Sequence, residues 1–136
     1  MTWVELRGDV VVLACAASAG IHAALAPAHF SESVSAGVGF AAAAGVLAAL
    51  AIALTRAPAS CLALAGAALV LVGLLASYAL ATTTGVPVLH PDPEPVDGLA
   101  LATKAIEAVG LLAALPRTKG TPTWTPYGHR APSRSR

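Results

Sequence analysis

The sequence predicts an all-α protein, a four-helix transmembrane bundle with antiparallel helices, short loops and a disordered C-terminal tail. Three observations carry this. Hydrophobic residues make up 57% of the 136 residues and charged residues only 11%, where a soluble domain averages about a quarter charged. The apolar residues fall into four runs, and the mean hydropathy is +0.75. Five of the eight basic residues lie after Leu115, so the apolar part is nearly free of positive charge. At this length one domain is the expectation: residues 1–115 form the membrane domain and residues 116–136 a basic cytoplasmic tail.

Residues 1–9 (MTWVELRGD) read as a short amphipathic lead-in. Residues 10–26 are the first apolar segment, at the lower limit for crossing a bilayer. A signal peptide competes for this stretch, because AAS-AG and ALA-PA resemble small-residue cleavage sites. The lead-in argues for an uncleaved helix, since Glu5 and Asp9 offset Arg7. Pro27 is expected to break the helix, with residues 27–33 forming a turn.

Ser31, Glu32 and Ser33 supply N-cap chemistry for a second helix over residues 34–54. That helix carries small residues four apart: Gly37, Ala41, Gly45 and Ala49. Such a stripe lets two helix backbones approach closely in lipid, and it is the expected surface for self-association or for other membrane subunits. A tight connection, TRAPA, leads to the third helix, residues 60–81, with Tyr78 placed to sit at headgroup level.

Residues 82–97 (TTTGVPVLHPDPEPVD) are the one long polar interruption between apolar segments. They hold three of the seven acidic residues, four of the ten prolines and no Lys or Arg. The fourth helix, residues 98–115, contains Lys104 and Glu107, and Pro116 ends it. Arg7, Arg56 and the basic residues of the tail all fall on one side of four crossings. By the positive-inside rule both termini are cytoplasmic.

Two polar groupings stand out. Cys15, Ser18 and His22 step by three and four residues, so they share a helix face. Lys104 and Glu107 share another, with Asp97 in line. Counting about 1.5 Å per residue from the outer ends, Lys104 lies roughly 9 Å deep, Glu107 roughly 14 Å and His22 roughly 8 Å. His22, Lys104 and Glu107 are therefore expected to meet as an intramembrane polar cluster, serving either as a structural salt bridge or as a proton or ion relay. A buried charge costs about 2.5–3.5 kcal/mol at a helix centre, so the pair must face the bundle interior. The second grouping lies at the outer face, where His22, His29, Glu32, His90 and Glu94 form a possible Cu or Zn set, although no spacing among them is a ligand signature.

The net charge of +1 leaves no footprint for nucleic acid. The chain contains no GxSxG, Walker, HExxH or CxxCH motif, and no catalytic or cofactor residues are assigned. Cys15 and Cys61 form no CxxC. A non-enzymatic accessory or scaffold subunit is the first expectation. A metal-binding membrane protein and an oligomeric transporter or channel component are the alternatives.

The pieces GIHAALAPAHFSE, TTTGVP and EPVDGLALATKAIE resemble a family of small, functionally uncharacterised four-helix integral membrane proteins of high-GC bacteria. In that pattern His22, His29, Glu32, Thr83, Gly85, Pro87, Glu94 and Glu107 are the family positions. Lys104 and the shortened loop around His90 depart from it. The resemblance implies the fold and a bacterial cytoplasmic membrane location, and it brings no activity with it.

Overall fold

The computed structural model describes residues 3–85, 93 and 95–115. They form four helices: α1 (Trp3–Glu32), α2 (Val34–Arg56), α3 (Cys61–Thr83) and α4 (Gly98–Ala114). There is no strand among the described residues. The last three helices lie within two residues of their expected bounds, because each begins on a side-chain cap. Ser33, Ser60 and Asp97 accept hydrogen bonds from the backbone N–H of Ala36, Ala63 and Ala100, each three residues on. At the other end of α3, Gly85 adopts a φ of 70°, the left-handed conformation that ends helices and favours glycine.

Helix α1 corrects the expectation at both ends. It begins at Trp3, so the lead-in is helical, and it runs through Pro27 to Glu32. Proline removes one backbone donor and crowds the preceding turn, but in membrane helices neighbouring packing offsets this. Here the residues beyond Pro27 are held by α2. The His29 ring stacks on Phe40 at 3.8 Å between centroids, and the Phe30 ring covers Gly37 so closely that a Cβ at Gly37 would collide with it. The expected seven-residue turn shrinks to Ser33 alone.

The helices form a closed square. Each packs on the next in sequence, α4 returns to α1, and α1 meets α2 most extensively. Helices α2 and α3, joined by a tight turn, touch over only a short stretch. Val11, Cys15, Leu47, Leu54, Ala67 and Leu71 are buried at the centre. The α1–α4 approach is tightest at Gly110, where a Cβ would lie 2.5 Å from the Ala14 Cβ and 3.2 Å from Leu71. In the small-residue stripe of α2, only Gly37 is buried; Ala41, Gly45 and Ala49 face outward.

Helices α1, α2 and α3 are long and apolar enough to cross a membrane. Helix α4, at 17 residues, is at the short limit for a span. Many large apolar side chains point outward, with Leu62 85% and Leu69 73% exposed. In hydrocarbon such exposure carries no hydrophobic penalty.

The two ends of the square differ in their ionisable groups: Arg7 and Arg56 share one end with Glu5 and Asp9. There the Arg7 guanidinium donates from Nε and Nη2 to the Ala113 carbonyl, at 3.1 and 2.8 Å, and from Nη2 to the Leu115 carbonyl. These carbonyls are among those a helix C-terminus leaves without partners, so α1 caps α4. The opposite end carries His29, Glu32 and Asp97.

Candidate functional site

Halfway into the bundle, polar groups from α1 and α4 meet in one hydrogen-bonded chain. The Ser18 hydroxyl, on the buried face of α1, donates to Glu107 Oε1 at 2.8 Å. Lys104 Nζ donates to Glu107 Oε2 at 2.7 Å. Both oxygens of a carboxylate with 0% exposure are thereby satisfied, as burial of an ion requires. Lys104 lies within 3.5 Å of the Leu74 carbonyl on α3, and its ammonium sits 5.6 Å from the centre of the Tyr78 ring, within cation–π range.

His22 joins the chain one turn above Ser18. Its Nδ1 lies 2.8 Å from the Ser18 carbonyl oxygen and 3.3 Å from the Ser18 hydroxyl. A carbonyl only accepts, so Nδ1 carries a proton, and in the neutral ring Nε2 is left with a lone pair. The ring also contacts Phe40, with centroids 5.3 Å apart. Cys15, below Ser18, is fully buried and belongs to the apolar core.

Above this network lies a partly open cavity of about 350 Å³, bounded by all four helices. His22, Phe40, Tyr78, Asp97 and Lys104 contribute to a lining that is otherwise mostly apolar. The Tyr78 hydroxyl is buried and has no hydrogen-bond partner among the described residues. The sequence placed this ring at headgroup level; in the structure it faces the Lys104 ammonium. Its phenol is left unpaired among the described residues, which costs free energy.

The expected metal set falls into two parts. His29 and Glu32 pair at 3.2 Å on the last turn of α1, while His22, seven residues before His29, is committed to Ser18. The Phe40 ring contacts both imidazoles. His90 and Glu94 lie outside the described residues, as does the tail, residues 116–136. Among the described residues no group of three or more His, Cys, Asp or Glu side chains is placed to hold a metal ion.

Ser18, Phe40 and Tyr78 are the site residues whose roles the sequence did not reveal. Ser18 was readable as a face-mate of His22, but not as the link to Glu107. Phe40 had one signal, as the only aromatic residue in α2. No family model matches the chain, and no characterised protein or solved structure matches it either.

Proposed function

We propose that this is a non-enzymatic, multi-pass protein of the bacterial cytoplasmic membrane that binds a small lipid-soluble molecule in the cavity between its four helices. The observation that carries this is the pairing of a 350 Å³ cavity with an unpartnered buried hydroxyl in its wall. Ligand sites are concave, mostly apolar, about 300–1,000 Å³ in size and furnished with a few polar groups. The ionic network beneath it fixes His22 and Lys104 in place, which is the preorganisation a binding site needs.

Native mass spectrometry of the protein in membrane-derived nanodiscs tests the reading. The wild type should carry a bound small molecule, and Gly39→Trp should lose it. Gly39 lines the cavity, and a Cβ there meets no atom within 4 Å. A wild type without a bound molecule, or a variant that retains it, would contradict the reading. Both termini are cytoplasmic in this reading, which the positions of Arg7 and Arg56 at one end of the bundle support. Reporter fusions at residue 136 and within residues 82–97 should respond as cytoplasmic and external respectively.

A second reading rests on α2. Gly45 has no atom near the position of its absent Cβ, and Ala41 and Ala49 share its outward face. This face suits close helix contact in lipid, so the protein serves as an accessory subunit through self-association or a second membrane protein. Gly45→Leu should abolish cross-linked oligomers; unchanged cross-linking would exclude this face.

A further inference from the structure

We infer that the cavity is built for a neutral, ring-bearing molecule with a free hydroxyl group, a phenol or quinol headgroup. This inference rests on the binding reading above. The argument is one of donors and acceptors. With Nδ1 committed to the Ser18 carbonyl, neutral His22 can offer the cavity only the Nε2 lone pair, which requires a donor. The buried Tyr78 hydroxyl lacks a partner and can donate. One hydroxyl group does both tasks: it donates to His22 Nε2 and accepts from Tyr78.

Charge selects against ions. Lys104 and Glu107 neutralise one another at 2.7 Å, so the cavity floor holds no spare charge. The lining carries both signs, the Lys104 ammonium and the Asp97 carboxylate, so an ion of either sign meets a like charge there. The Phe40 and Tyr78 rings supply aromatic walls, against which a flat ring packs in offset or edge-to-face contact. Size agrees as well: an apolar cavity of about 150 Å³ already holds benzene, so about 350 Å³ accommodates a ring with a short alkyl chain.

The test is calorimetric titration of the full chain in nanodiscs with 4-propylphenol, its methyl ether 4-propylanisole, and 4-propylbenzoate. The wild type should bind the phenol about tenfold more tightly than the ether, as loss of a donor facing a buried acceptor dictates, and more tightly than the benzoate. His22→Phe should bring the phenol-to-ether ratio near one. Tyr78→Phe, which keeps the ring, should reduce it severalfold and serves if the His22 variant does not fold. Equal binding of phenol and ether by the wild type would overturn the inference, as would tighter binding of the benzoate or a ratio unchanged in both variants. If phenol and ether bind equally and Gly39→Trp abolishes both, the hydroxyl assignment fails while the cavity reading stands. If none binds, the inference fails, and native mass spectrometry separately decides the cavity reading.

Discussion

The Ser18 hydroxyl and Glu107 Oε1 are 2.8 Å apart across 89 residues of sequence, and this bond joins the first helix to the last. It allows Glu107 to be fully buried, because the second oxygen already has Lys104. The network positions the His22 ring above it through the same serine, whose carbonyl and hydroxyl both face Nδ1. The link between α1 and Glu107 therefore depends on one hydroxyl group, while the Ser18 carbonyl also holds His22.

Replacing Ser18 with Ala should leave Glu107 Oε1 without a donor. An unsatisfied buried acceptor costs about 1–3 kcal/mol, and thermal unfolding in nanodiscs should show a clear drop in Tm. An unchanged Tm would mean that Glu107 finds another donor.

Gly110 should tolerate no side chain. Gly110→Ala places a Cβ 2.5 Å from the Ala14 Cβ, and overpacking of this kind costs about 1–3 kcal/mol. Gly73→Ala is the control: its Cβ meets nothing within 4 Å, so no loss of stability is expected beyond the helix-propensity gain of about 1 kcal/mol or less. Equal stabilities for the two variants would refute the close α1–α4 approach.

Arg7 should hold the end of α4. Removing it as Arg7→Ala loses charge-assisted bonds to the Ala113 and Leu115 carbonyls, each kind contributing about 1.5–3 kcal/mol. Hydrogen exchange should quicken in the last turn of α4 and nowhere along α2. Arg7→Lys should restore only part of the protection, since an ammonium lacks the planar fork that reaches both carbonyls.

The fold was largely legible because apolar run length and cap residues are local signals. Ser33 was read among the cap residues of α2, while the Ser60 and Asp97 caps of α3 and α4 emerge from the structure. Pro27 misled because a proline's effect depends on what packs around it, and the Phe30–Gly37 and His29–Phe40 contacts that hold α1 past it are tertiary. In the site, helical spacing disclosed the Cys15–Ser18–His22 face and the Lys104–Glu107 pair. Depth counting set His22 and the pair near one level. Which hydroxyl bridges the two faces, and the facing of Tyr78 to Lys104, depend on helix rotation, which nearly uniform apolar helices do not encode: exposed Leu62 and buried Leu71 both lie on α3.

The most direct measurement of the central claim, a buried charge pair satisfied inside the bundle, compares Glu107→Ala, Lys104→Leu and the double variant Lys104→Leu/Glu107→Leu by thermal unfolding in nanodiscs. Breaking a buried pair from one side costs about 3–5 kcal/mol, whereas replacing both partners with apolar groups is often neutral. Each single variant should therefore unfold well below the wild type, and the double variant should unfold above either of them. Single variants as stable as the wild type, or a double variant less stable than both, would contradict the account.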